Sequence, residues 1–155
     1  MAQDTSDREI VNSRKLMHPV ERIFEAFSDP DKLAVWWGPK GFKNTFHRFE
    51  FKPGGQWLFT MHSPDGRDFE NESVFKAIIE PTGIVMEHIC APKFVLEISL
   101  TDIPGGTQLL WTQRFETAEM RDRVVRYAGN GNEENLDRLE SVLASNNSLN
   151  PEQDV

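Results

Sequence analysis

The hydrophobic residues that follow Pro19 recur with the spacing of an amphipathic helix. They lie three and four positions apart: Val20, Ile23, Phe24 and Phe27. Asp29 and Pro30 end this helix and begin a second, because Asp is a good N-cap residue and Pro fits the first helical turn. The apolar stripe of the second helix is Leu33, Trp36 and Trp37. Gly38-Pro39 ends it, so the pattern predicts two short, consecutive helices.

Between residues 45 and 115 the apolar residues alternate with period two, which indicates β-strands. The pattern breaks at four turns that pair proline with glycine: Pro53-Gly54-Gly55, Pro64-Asp65-Gly66, Pro81-Thr82-Gly83 and Pro104-Gly105-Gly106. The predicted strands are 45–51, 55–62, 68–79, 83–90, 93–102 and 106–115. Because these turns are too short for crossover helices, we expect an antiparallel meander. Residues 10–17 predict a further strand at an edge, since their apolar signal is weak.

The C-terminal part of the chain predicts a helical region from Thr117 to about Ala144. Its apolar stripe is Met120, Val124, Tyr127, Leu136, Leu139 and Leu143. Gly129 and Gly131 interrupt it, and each costs about 1 kcal/mol relative to Ala inside a helix, so we expect a kink or a break. A long amphipathic helix is the natural cover for a concave sheet. The sequence predicts an α+β fold of order β-α-α-β6-α, in which a curved antiparallel seven-stranded sheet grips this helix. We assign one domain to residues 9–144, with loose polar segments at 1–8 and 145–155.

The chain is acidic, with 17 Lys and Arg against 25 Asp and Glu in 155 residues, a formal net charge of −8. It carries no basic patch, so we expect no binding to a nucleic acid backbone. No apolar run approaches the roughly 20 residues that span a bilayer, and MAQDTSDREI shows no secretory signal. The lone Cys90 rules out an internal disulfide and fits a reducing compartment. We expect a cytoplasmic protein.

A family resemblance rests on the element order and on two segments, Pro-x-x-x-Ile-Phe-x-Ala-Phe-x-Asp-Pro from Pro19 and the turn Trp36-Trp37-Gly38-Pro39. Further agreement lies at 48–60 (RFEFKPGGQWLFT), at 65–66, at 75–81 and at 106–115. Over residues 9–144 the chain resembles the START-like, helix-grip (SRPBCC) superfamily. More narrowly, it resembles the bacterial relatives of the activator of heat-shock-protein-90 ATPase, which suggests a link to the stress response.

The resemblance implies a cavity between the sheet and the last helix that suits an apolar or amphipathic small molecule. It implies no shared catalytic residues, because the superfamily includes lipid carriers, hormone receptors, polyketide cyclases and co-chaperones. Many relatives carry Gly-Trp in the last helix where this chain has Gly131-Asn132. The smaller, polar Asn132 predicts either a roomier or wetter cavity near that turn, or a different helix break.

Aromatic side chains are the first candidates for the walls of the implied cavity. Trp36 and Trp37 would form its mouth, with a cavity of a few hundred Å³ behind them (pockets hold about 300–1,000 Å³), or would simply pack the short helix on the sheet. The further apolar candidates are Phe59, Phe75, Met86, Phe94, Trp111 and Tyr127. A filled core would use the same side chains, so both interpretations stay open.

Three polar residues are candidates on the inner face of the sheet. Alternation places Gln113 between Trp111 and Phe115, and His88 on the side of Met86. It places the third, His47, beside Phe49. Burial without a partner costs about 1–3 kcal/mol, so each of the three either orients a ligand oxygen or is satisfied by a backbone group or water.

Metal and redox chemistry find little support in the sequence. The four histidines form no close ligand pair, and Cys90 has no identifiable activating base, so we predict no metal and no cofactor.

The sequence favours non-catalytic binding of a hydrophobic or amphipathic small molecule. One alternative is a co-chaperone-like module with a chaperone or other protein partner. The other is a cyclase- or hydrolase-like enzyme that uses His47 or His88 as its base. The edge strand 10–17 also allows a homodimer, since exposed strand edges can pair across a two-fold axis.

Overall fold

The computed structural model describes residues 6–128 and 130–149, and the side chains of 6–126 and 130–145 among them. Strand β1 (Glu9–Leu16) leads into helices α1 (Val20–Ser28) and α2 (Pro30–Trp36). Six strands follow: β2 (Lys43–Phe49), β3 (Gln56–His62), β4 (Asp68–Ile79), β5 (Gly83–His88), β6 (Phe94–Ile103) and β7 (Gly106–Phe115). Helices α3 (Ala118–Ala128) and α4 (Gly131–Leu149) close the chain.

The strands form one curved antiparallel sheet in the order β1-β7-β6-β5-β4-β3-β2. Strands β2 to β7 are consecutive hairpins, as the spacing of the turns predicts. Strand β1 pairs only with β7, so it is an edge strand, as its weak apolar signal indicates. The α+β prediction is confirmed.

One face of the sheet, called the inner face here, packs against the helices. The alternation predicts its residues on β6 and β7, where Leu96, Ile98, Leu109 and Trp111 are all buried. The last helix contributes a matching stripe, because Leu136, Leu139 and Leu143 are 0%, 0% and 1% exposed. The core therefore lies between the inner face and α4.

A β-bulge in β2 overturns one predicted orientation. Phe46 pairs with Phe59 and Arg48 pairs with Leu58, so His47 is the extra residue between them. Phe46, and not His47, shares the inner face with Phe49. The placement of His47 beside Phe49 is wrong, because simple alternation fails across a bulge.

The C-terminal helical region is broken where the two glycines predict it. Helix α3 ends at Ala128, and α4 begins at Gly131. The Thr117 hydroxyl accepts a hydrogen bond from the Met120 amide at 3.1 Å, which caps the start of α3. Helix α4 continues to Leu149, past the predicted end at Ala144.

Candidate functional site

The two adjacent tryptophans of α2 have different surroundings. Trp36 is fully buried, and its indole Nε1 donates to the Ala26 carbonyl at 3.0 Å, which ties α2 to α1. Trp37 is 9% exposed and reaches across to the sheet. Its ring stacks on Trp111 with centroids 5.4 Å apart and meets the edge of Trp57 at 5.0 Å.

The aromatic candidates on the inner face also contact one another closely. Phe59 stacks on Trp57 at 4.3 Å, and Phe75 packs against Phe51 at 5.1 Å. Among the described residues, these rings therefore pack against one another as a filled core would, which is the second of the two interpretations that the sequence leaves open. The side chain of Tyr127 lies outside the described residues.

A smaller cavity lies at the junction of α3 and α4, against the β1–β7 edge of the sheet. Its volume is about 120 Å³. The lining residues are Ile10, Asn12, Gln113, Val124, Val125, Asn130, Asn132 and Glu133. We call it the junction cavity. It lies at Asn132, where the sequence predicts either a roomier or wetter cavity or a different helix break.

Asn132 organises the polar side of the junction cavity. Its Nδ2 donates to Gln113 Oε1 at 2.8 Å and to Asn12 Oδ1 at 3.1 Å. The side-chain oxygen of Gln113 thus already accepts a hydrogen bond. The NH₂ group of Gln113 can donate to a further partner, and the side-chain oxygen of Asn132 can accept from one. The cavity offers both kinds of hydrogen bond to a small polar group.

Charged residues fix the same edge of the cavity. Arg14 lies on β1 and forms ion pairs with Glu133 at 2.7 Å, Asp137 at 2.7 Å and Glu140 at 3.2 Å. Hydrogen bonds donated by Asn12 and Arg14 lower the pKa of Glu133 below its usual value. A charged Glu133 therefore holds β1 and α4 together beside the cavity.

Helix α4 also holds the turn that contains Trp37. Asn135 Oδ1 accepts from the Gly38 amide at 3.2 Å. Arg138 donates to five backbone carbonyls at 2.6–3.2 Å: those of Val35, Trp37, Gly38, Pro39 and Phe42. We call these contacts of Asn135 and Arg138 the latch. Sequence reasoning missed both residues, because their partners are backbone atoms far away in the chain.

The predicted histidines do not converge with Gln113. His88 is buried on the inner face, with Nδ1 2.8 Å from the Pro92 carbonyl and Nε2 2.8 Å from Asn71 Oδ1. Burial lowers the pKa of His88. His47 instead contacts the Thr60 hydroxyl at 2.7 Å. The pairing of Thr60 with Thr45, one position from the Phe46–Phe59 pair, places that hydroxyl on the opposite face of the sheet.

The expectation that Cys90 has no neighbouring base is wrong. Its Sγ lies 3.4 Å from His88 Nε2 and 3.4 Å from the backbone nitrogen of Glu72. Within the described ranges, no group of three His, Cys, Asp or Glu side chains is placed to hold a metal ion. The described helices also include none long and apolar enough to cross a membrane.

Comparison with known structures identifies the fold class. An X-ray crystal structure of a protein from Nitrosomonas europaea matches with a TM-score of 0.86 and 19% identity, over 94% of this chain and 99% of that chain. A solution NMR structure of a protein from Arthrobacter aurescens matches with a TM-score of 0.85 and 21% identity, over 93% and 90%. The AHSA1-like protein from Aeromonas hydrophila matches with a TM-score of 0.74 and 21% identity, over 90% and 94%. These likenesses show the fold.

The family follows from the sequence itself. Residues 17–144 match the model of the family described as Activator of Hsp90 ATPase homolog 1-like protein. The chain belongs to this family, as its resemblance predicts. No curated protein matches the chain at a significant level.

Proposed function

We propose that this protein binds an amphipathic small molecule, without catalysis, between the inner face and the C-terminal helices. The junction cavity carries the proposal. One wall is formed by the amides of Asn12, Gln113 and Asn132, and the other by aliphatic residues such as Ile10 and Val124. Binding sites combine apolar walls with a few convergent polar groups in this way.

The volume of the cavity limits what it holds. Its 120 Å³ is the liquid volume of about four water molecules, at roughly 30 Å³ each. A whole drug-sized ligand needs more space, since such pockets measure about 300–1,000 Å³. The junction cavity therefore suits a small amphipathic molecule, or the polar end of a larger one whose apolar part contacts Ile10, Val124 and Val125.

Native mass spectrometry of protein purified from bacterial cells tests this proposal. We expect a bound small molecule on the wild-type protein and its loss from Asn132→Trp, because an indole fills the 120 Å³ cavity. Ala144→Trp adds the same ring at an exposed position of α4 and is the matched control. Circular dichroism checks that both variants fold. An unliganded wild-type protein, or equal loading of all three proteins, would contradict the proposal.

A co-chaperone role is the second candidate, favoured by the match to a family described by the activator of Hsp90 ATPase. It predicts that adding the protein changes the steady-state ATP turnover of an Hsp90. Charge reversal at exposed residues of α4, such as Asp137, would then alter that effect. Unchanged turnover at saturating protein would reject this role.

A further inference from the structure

Three polar side chains lie in contact on the face of the sheet opposite the inner face, which we call the outer face. They belong to adjacent strands: Thr45 to β2, His62 to β3 and Asp68 to β4. His62 pairs directly with Asp68, and Thr45 is diagonal to His62, because Thr45 itself pairs with Thr60. Strand pairing therefore holds the three side chains on one surface, within reach of one another.

The hydrogen bonds among these side chains run in one direction. His62 Nδ1 lies 2.8 Å from Asp68 Oδ1, and because a carboxylate only accepts, Nδ1 carries the proton that it donates. Nε2 of the neutral ring is then an acceptor, and the Thr45 hydroxyl, 2.7 Å away, donates to it. A nucleophile, a base in contact with it and a carboxylate that orients the base are the three parts of a catalytic triad.

A neighbouring set of the same residue types runs in the opposite direction. Thr60 Oγ1 donates to both carboxylate oxygens of Glu70 at 2.9 Å and lies 2.7 Å from His47 Nε2. Because the Thr60 hydroxyl gives its proton to the carboxylate, it accepts from His47, and His47 does not act as its base. Thr60 is also only 5% exposed, whereas Thr45 is exposed. Of these two hydroxyls, Thr45 alone combines a basic partner with access from solvent.

We propose that Thr45 is the nucleophile of a second site, at which the protein hydrolyses activated esters. His62 is the general base, and Asp68 is a positioning residue that fixes the tautomer of His62. An exposed hydroxyl suits small acyl substrates that arrive from solvent and carry a good leaving group, such as aryl esters and acyl thioesters. The site lies on the other face of the sheet from the junction cavity, so this inference is independent of the proposed function.

The reaction takes two balanced steps. Thr45 Oγ1 attacks the acyl carbonyl carbon while His62 Nε2 takes the hydroxyl proton, and the leaving group departs with that proton as its bond to the acyl carbon breaks. Water then attacks the acyl ester on Thr45 and gives a proton to His62. His62 returns this proton to the Thr45 oxygen as the carboxylic acid leaves, so the site regains its starting state.

A cation lies near the place where negative charge develops on the carbonyl oxygen. Lys43 is two positions before Thr45 on the same face of β2 and pairs directly with His62. Residues two apart on a strand are about 7 Å apart, a distance that a lysine side chain spans. The lysine ion pairs of the described residues are those of Lys32 and Lys76, so the exposed Lys43 ammonium is available to stabilise the oxyanion.

A fluorophosphonate tests whether Thr45 is an activated nucleophile. The hydroxyl oxygen displaces fluoride from phosphorus and leaves a stable adduct of known mass. We expect tandem mass spectrometry to locate the adduct on Thr45 of the wild-type protein, and Thr45→Ser should keep it at the same position. Thr101 is an exposed threonine of β6 for which the structure shows no histidine contact among the described residues, so it is the internal control and should stay unlabelled.

The turnover of 4-nitrophenyl acetate tests the base and its orientation. Release of 4-nitrophenolate above the uncatalysed rate should fall about 100-fold in Thr45→Ala and in His62→Gln, the lower end of the usual effect of a general base. Asp68→Asn should also slow release, and Asp68→Glu should restore part of it, because it returns an acceptor to His62 Nδ1. His47→Gln is the matched histidine control and should keep the wild-type rate.

Four results would overturn the inference. They are the absence of an adduct on wild-type Thr45, equal labelling of Thr45 and Thr101, equal ester turnover by wild-type protein and His62→Gln, and an adduct without any turnover that depends on Thr45. Circular dichroism checks that the variants fold, and labelling of the wild-type protein decides the role of Thr45 even if a variant does not. Such a failure leaves the proposed function standing, because native mass spectrometry reports on the inner face.

Discussion

At the scale of single residues, the buried polar side chains show how much depends on local geometry. His88 and Gln113 face inward as alternation predicts, whereas His47 does not. One extra residue in β2 reverses the orientation, and no feature of the local sequence marks a bulge at that position. Asn132 drew attention for a different reason: many relatives carry Trp at this position, so the smaller, polar Asn predicted a roomier or wetter cavity or a different helix break, and Asn132 pairs with Gln113 beside the junction cavity.

The buried His88 predicts that acid destabilises the protein. Its pKa is lowered in the folded state, so below about pH 6.5 the unfolded chain binds a proton that the folded chain does not. The free energy of unfolding should therefore fall as the pH drops from 7 to 5.5, by at most about 1.4 kcal/mol per pH unit for this group. Urea unfolding at a series of pH values measures the slope.

His88→Gln should flatten this slope. His18, whose pKa is lowered by burial and by the charge of Arg22, supplies part of it, and His18→Gln measures that part. Identical slopes in wild-type protein and His88→Gln would show that His88 does not titrate as the structure implies.

At the scale of elements, α4 both covers the sheet and holds the turn after α2. The sequence predicts the cover, because the leucine stripe is visible as a periodic pattern. It does not predict the latch, because the carbonyls that Arg138 contacts lie 96 to 103 positions earlier and belong to the backbone. Such contacts leave no trace in hydrophobic periodicity. Periodicity hides the junction cavity as well, because its lining combines residues of β1 with residues more than 100 positions later in the chain.

Removal of the Arg138 side chain should loosen the Trp37 turn. Arg138→Ala removes one donor from each of five carbonyls, of which that of Trp37 still accepts from Asn44 Nδ2, and we expect a loss of about 2–4 kcal/mol in the free energy of unfolding. Arg123→Ala, on the exposed side of α3, is the control and should stay within about 0.5 kcal/mol of wild type. Urea denaturation measures both, and equal stabilities of the two variants would count against the latch.

At the scale of the whole molecule, the fold rests on one core between the inner face and α4. The turn residues and the strand periodicity are strong local signals, so the meander was predictable from sequence. The end of α4 was not, because Ser and Asn near a helix terminus give no clear boundary.

A single core predicts that α4 and the sheet unfold together. Leu139 is fully buried, and Leu139→Ala should cost about 2–5 kcal/mol and lower the thermal midpoint of the whole protein in one transition. Leu110→Ala removes the same atoms from a residue that is 41% exposed and should cost much less. Circular dichroism at two wavelengths checks this, and a separate early loss of helix in Leu139→Ala would be inconsistent with one cooperative core.

The proposed function is that a small molecule binds between the inner face and the C-terminal helices. The most direct test is a high-resolution crystal structure of protein purified from cells without a denaturing step. We expect continuous non-protein density in contact with the amides of Gln113 and Asn132. A junction cavity that contains only water, in protein that also shows no bound mass, would contradict it.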